Sequence, residues 1–128
     1  MQQDIHYEDV VNDVKQFLQR RVDECVEAGI ERSRLLIDPG FGFGKSVQHN
    51  FQLLRNMHQL QDIGIPVLVG LSRKSMLGAV TDKPVHQRLA SSVAAATLAL
   101  EGGARIIRSH DVAATVDAIR VHCAFNDS

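Results

Sequence analysis

Apolar positions along the chain alternate between two rhythms. Over residues 7–28, Val10, Val14, Phe17, Leu18, Val22, Cys25 and Val26 recur at helical intervals with charges between them. That spacing draws one apolar stripe down a long helix, and Gly29 is placed to end it. Leu35-Leu36-Ile37 follows, a short apolar run closed by Asp38-Pro39-Gly40, which reads as a buried strand. The helical rhythm returns over 47–62 with Phe51, Leu54, Met57 and Leu60 facing inward, until Gly64 and Pro66 break it. Residues 66–71 read as a second buried strand and 75–85 as a loop. A third helix over 86–100 carries the stripe Leu89, Val93, Thr97 and Leu100, and its many alanines allow close packing on a sheet. Gly102 and Gly103 stop it, and 105–110 reads as a third strand. Asp111 is placed to cap a last helix with Val112, Val116, Ile119 and Cys123 inward.

The predicted order is α-β-α-β-α-β-α, three strands among four helices. Strict alternation implies an α/β fold with a parallel sheet and right-handed crossovers. Three strands are too few to close a barrel, and a chain that opens on a helix needs a strand before it. Residues 1–128 are therefore expected to form one domain, the C-terminal half of something larger; a chain of this length supports a single core.

Composition narrows the function classes. The chain is 45% hydrophobic and 23% charged, ordinary for a globular domain, with a net charge of −1 that gives no bulk pull toward nucleic acid or a membrane surface. Tryptophan is absent and there is one tyrosine, so stacking platforms for bases are scarce. No apolar run reaches the roughly 18 residues of a membrane span, and the polar, acidic start is unlike a signal sequence. A cytoplasmic protein is expected. Cys25 and Cys123 form no CxxC pair and read as core thiols. His6, His49, His58, His86 and His122 lack ligand spacing, so no metal site is expected in this chain.

In parallel α/β folds, functional groups collect at the C-terminal ends of strands. Here the three strands end in Asp38, in Ser72-Arg73-Lys74, and in Arg108-Ser109-His110. Alternation puts Arg108 and His110 on one face with Ser109 on the other, and lets Ser72 and Lys74 share a face. Each end has a plainer reading. Asp before Pro-Gly forms turns, Ser-Arg-Lys suits a solvated loop, and Arg-Ser-His-Asp suits a helix start in which Asp111 caps and Arg108 pairs with it. The coincidence of three polar ends favours one crevice holding Asp38, Ser72, Lys74, Arg108 and His110.

The segment Asp38-Pro39-Gly40-Phe41-Gly42-Phe43-Gly44-Lys45-Ser46 matches neither phosphate fingerprint. A Walker A loop needs glycine where Pro39 stands, and neither register of Gly-x-Gly-x-x-Gly is completed. What remains is a strand-to-helix loop whose glycines permit close approach to a flat ligand. Phe41 and Phe43 supply apolar walls, or one of them closes the core.

Three stretches, from Leu35 through Asp38 to Lys45, Gly70-Leu71-Ser72-Arg73-Lys74-Ser75, and Ile107-Arg108-Ser109-His110-Asp111, resemble the last three strand motifs of dihydropteroate synthases. The resemblance covers essentially the whole chain. It implies the C-terminal half of a (β/α)8 TIM barrel, with Met1 falling just after that family's fifth strand. It also implies an enzyme condensing 6-hydroxymethyl-7,8-dihydropterin diphosphate with p-aminobenzoate to give 7,8-dihydropteroate and pyrophosphate. Under it, Asp38 and Lys74 bind the pterin, and Arg108 and His110 the diphosphate. Gly42, Phe43, Ser72 and Arg73 lie on the aminobenzoate side, and Lys74, Arg108 and His110 carry the catalysis. Ser109, most often valine in that family, is a departure on the outward face. The Mg2+ ligand would lie in a missing N-terminal half, so the isolated chain is expected to be inactive, and a homodimer is implied. Two alternatives stay open: a non-catalytic half-barrel phosphate-binding module, and the pterin-binding domain of a methyltransferase.

Overall fold

The computed structural model describes residues 9–128; His6 and the first residues of the predicted opening helix lie outside them. Helix α1 spans Val10–Glu27. Asp9 caps its start by accepting the Asn12 N–H at 3.1 Å. Gly29, at φ +98°, ends it as expected, with the Ile30 N–H returning to the Cys25 carbonyl at 3.0 Å. Val10, Val14, Leu18 and Val22 are buried as the stripe requires, whereas Phe17 is 54% exposed.

The first expected strand does not form. Residues 35–37 contribute one parallel bridge, Ile37 to Val67, in which the Leu68 N–H reaches the Ile37 carbonyl at 2.8 Å. Leu36 is half exposed while Ile37 is buried, so the run has the alternation of a strand but a partner on one side only. Strand β1 is Leu68–Val69 and β2 is Ile106–Ile107, paired in parallel with Leu68 opposite Ile106 and Val69 opposite Ile107. The expectation of three strands is thus corrected to a two-stranded sheet with a bridge on its open side.

The helices differ from expectation as well: five α-helices are found among the described residues, not four. Helix α2, Val47–Arg55, starts on the Ser46 hydroxyl, and the remainder of the predicted helix tightens into a 3-10 segment, Met57–Ile63, closed by Gly64. Residues expected as a loop contain helix α3, Ser75–Thr81. A 3-10 turn at Val85–Gln87 precedes helix α4, Leu89–Glu101, and helix α5 is Val112–Asp127. The inward stripe of α4 is corrected: it buries Ser92, Ala95, Ala96 and Ala99, and leaves Leu89 and Leu98 at least half exposed. Small residues let α4 and α5 approach closely, so α5 buries Thr115 and Ala118 instead of Val112 and Cys123. Cys123 is exposed and Cys25 half-buried, so neither is the core thiol expected.

The core lies between α1, α2 with the 57–63 segment, and the sheet, where Phe41, Leu53, Met57, Leu60, Val67 and Val69 are completely buried. Because Ile37, β1 and β2 run parallel and side by side, the residues that follow them leave the sheet at the same end.

Candidate active site

Asp38, Ser72 to Lys74, and Arg108 to His110 are those residues. Asp38 opens a tight turn, its Oδ1 accepting the Gly40 N–H at 2.8 Å, while Oδ2 lies 3.9 Å from Arg108 Nη1. Both side chains keep substantial exposure, 40% for Asp38 and 61% for Arg108, so the pair is open to a ligand.

Gly70 makes room for that arginine. A Cβ at position 70 would stand 2.4 Å from Arg108 Nη2, so the guanidinium lies flat against bare backbone. The Ser72 hydroxyl organises the third strand end. It accepts the His110 backbone N–H at 3.1 Å and lies 2.8 Å from His110 Nδ1. Gly70, Ser72, Lys74, Arg108, Ser109 and His110 line a cavity of about 220 Å³. Ser109 borders this cavity, but its hydroxyl is turned to α5. Its hydroxyl accepts the Asp111 N–H at 3.0 Å and the Thr115 hydroxyl at 2.7 Å, tying the loop to α5.

Lys74 crosses from this cavity to the glycine loop. Its amine donates to the Phe41 carbonyl and sits 5.0 Å from the centre of the Phe43 ring. Burial pushes the amine below the ordinary lysine range; Asp38 opposes the shift and Arg108 adds to it. Lys45, bonded to the Gly40 carbonyl at 2.7 Å, is also pushed down, by burial and then by the Lys74 charge, with Asp38 opposing. Gly42 stands against the Lys74 stem, where an added Cβ would lie 3.4 Å from Cδ, and its φ of +88° disfavours any side chain. Phe41 is completely buried and Phe43 51% exposed. The first phenylalanine closes the core, and the second is left as the wall.

Arg73 is turned elsewhere. Its guanidinium holds Asp111 at the start of α5, Nη2 to Oδ1 at 3.0 Å and Nε to Oδ2 at 3.4 Å. Asp111 occupies the N-cap position of α5 but makes no capping bond, and its partner is Arg73, not the Arg108 of the plainer sequence reading. Arg73 adopts φ +58°, a conformation supported by the Ser92 hydroxyl, which accepts its N–H at 2.9 Å, and by Arg88, which donates to its carbonyl at 2.9 Å.

Ser92, Arg88 and Asn50 were not singled out by the sequence reading. A signal existed for two of them. Ser92 and Asn50 are polar residues inside the buried rows 92, 95, 96, 99 and 50, 53, 54, 57, and a buried polar side chain must find partners. Arg88 carried no such mark.

Among the described residues, no group of three or more His, Cys, Asp or Glu side chains is placed to hold a metal ion. Lys74 and Arg108 beside the single carboxylate of Asp38 make the strand-end site cationic, a donor set that does not fit Mg2+. The same environment suits an anion.

A carboxylate, a lysine and an arginine thus stand at adjacent strand ends of a parallel α/β fold, with a histidine alongside. Residues 1–110 match the family of pterin binding enzymes, and the chain belongs to that family. Its relatives there are dihydropteroate synthases. The enzyme of Haemophilus influenzae is 59% identical over 121 residues, which cover 94% of this chain and 44% of that protein. The crystal structure of Yersinia pestis dihydropteroate synthase superposes with a TM-score of 0.96 at 45% identity, covering all of this chain and 53% of that one. The Xanthomonas albilineans enzyme in complex with 7,8-dihydropteroate gives 0.94 at 52% identity, over 96% of this chain and 47% of the other. The chain thus spans about half the length of the proteins it matches. Among the described residues no helix is long and apolar enough to cross a membrane.

Proposed function

We propose that the chain forms half of the active site of a dihydropteroate synthase, a (β/α)8 barrel in which β1, β2 and the run ending at Ile37 belong to three successive strands. The reaction is the condensation of 6-hydroxymethyl-7,8-dihydropterin diphosphate with p-aminobenzoate. The aminobenzoate nitrogen attacks the pterin methylene, a C–N bond forms as the C–O bond to the diphosphate breaks, and pyrophosphate and one proton leave. The observation that carries this reading is the convergence of Asp38, Lys74, Arg108 and His110 at one end of a parallel sheet.

Asp38 is an acceptor-only carboxylate, suited to the adjacent N–H donors of the pterin's amino-oxo edge. Lys74, between Asp38 and Phe43, donates to the ring close to the reacting methylene. Arg108 and His110 receive the diphosphate, and a donor aimed at a departing anion of this kind is typically worth about 2.7–4 kcal/mol of barrier. Gly42 and Phe43 give the aminobenzoate a flat apolar wall, with Ser72 and Arg73 behind it. As Arg73 is committed to Asp111, its part is to hold the loop, and it reaches a carboxylate only by leaving that partner. Mg2+ would supply neutralisation of the diphosphate charge, with its protein donors expected outside the described residues.

A cytoplasmic location and a homodimer accompany this reading. The exposed Leu98, Val121 and Phe125 on α4 and α5 offer apolar surface for a second copy. The test is equilibrium binding of 7,8-dihydropteroate to a completed enzyme, made by exchanging this chain for the matching segment of the Haemophilus influenzae protein. Binding at the affinity of the parent enzyme is expected, with Asp38→Asn at least about tenfold weaker. A folded chimera that does not bind the product would refute the proposal.

A further inference from the structure

The peptide unit joining Phe41 to Gly42 is gripped from both sides. Its carbonyl accepts from Lys74 Nζ, and its N–H donates to Asn50 Oδ1 at 2.8 Å. Carbonyl and N–H of a trans peptide point in opposite directions, so fixing one bond fixes the other. Asn50 is 3% exposed. Its amide nitrogen donates to the Ser46 carbonyl at 3.0 Å and the Lys45 carbonyl at 3.4 Å. Those partners only accept, so the amide oxygen is left facing Gly42 and the orientation of Asn50 is determined. The backbone itself offers little resistance to rotation of this peptide, because Gly42 stands at φ +88° without a Cβ. A rotated peptide would turn its N–H toward the Lys74 ammonium.

We infer that Asn50 is a positioning residue for Lys74, acting through the Phe41–Gly42 peptide to keep a carbonyl aimed at the amine. That carbonyl, the face of Phe43 and the charges of Asp38 and Arg108 together define where Nζ stands. The catalytic meaning of the arrangement rests on the role proposed above for Lys74. The arrangement itself does not, and it is testable without turnover.

The experiment measures the rate at which an amine-reactive ester acylates Lys74 at fixed pH in the 128-residue chain, read by peptide mass spectrometry with exposed Lys83 as internal control. A hydrogen bond to the charged form of an amine holds it protonated and unreactive. Asn50→Leu and Asn50→Ala release the peptide, so Lys74 is expected to react at least about threefold faster, with Lys83 unchanged. Parent-like Lys74 rates in folded Leu and Ala variants would overturn the inference. So would failure of both to fold, which would mark Asn50 as structural alone. A completed enzyme that forms no dihydropteroate would refute the proposed function and leave this result standing; unchanged labelling would do the reverse.

Discussion

Asp38 and Arg108 are 70 residues apart in sequence, yet Oδ2 of one lies 3.9 Å from Nη1 of the other at the open end of the sheet. An ion pair this exposed adds only about 0.2–1 kcal/mol to stability. Its value therefore lies in what the two groups present to a ligand. Asp38→Asn is expected to change the unfolding free energy measured in urea by no more than that amount. In the completed enzyme it should lower kcat/KM about 10- to 150-fold, the worth of a hydrogen bond to a charged group. Loss of stability larger than loss of activity would contradict this assignment.

Gly70 is predicted to matter through Arg108 alone. The atom that an added Cβ would strike is the end of a flexible side chain, so Gly70→Ala displaces the guanidinium and leaves the backbone in place. Stability should change by less than about 1 kcal/mol, while the KM for the pterin diphosphate rises at least about tenfold. A crystal structure of the variant with Arg108 unmoved would refute the explanation.

Burial holds the Lys74 amine below its ordinary value of 10.5. Between the lowered value and that ordinary one the unfolded chain binds more protons than the folded chain, so stability rises with pH across the window. Below the window, the penalty of holding a partly buried ammonium is fully present. Lys74→Met removes this contribution, and urea titrations from neutral pH upward should show a shallower rise than in the parent. Lys45 adds a slope of the same sign, so part of the rise is retained. In kinetics, the alkaline limb of kcat/KM should fall below the ordinary lysine range and disappear in Lys74→Arg.

Arg73 and Asp111 supply a fourth test. If Arg73 serves by tying the 72–74 loop to α5, Asp111→Ala and Arg73→Ala should raise the KM for p-aminobenzoate to a similar degree. The double variant should then be no worse than either single one. Additive losses would show that the Arg73 guanidinium contacts the substrate directly.

Much of this site was legible in the sequence, because strand ends in a parallel fold collect chemistry and the polar residues there stand out against apolar runs. Asp38, Lys74, Arg108 and His110 were found that way. Residues 35–37 were read as a strand because they form a short apolar run closed by a turn, yet a strand also needs a neighbour, and Ile37 has one only at Val67. Helix α3 was missed because a short segment with Gly78 at its centre carries no apolar period. Gly78 is there because the Arg88 guanidinium lies against it. The face of α4 was misread because large residues were taken as the buried ones, whereas it is the small Ala95 and Ala99 that enter the core, with Leu98 left outward. The pairing of Arg73 with Asp111 spans 38 residues and has no local signature.

We propose, then, that these strand ends form the pterin half of a dihydropteroate synthase site. Steady-state formation of 7,8-dihydropteroate and pyrophosphate by the chimera with the Haemophilus influenzae enzyme tests it most directly. Turnover within about tenfold of that enzyme is predicted, falling at least about 100-fold in Arg108→Ala. A correctly folded chimera that releases no pyrophosphate, or one indifferent to Arg108→Ala, would contradict the claim.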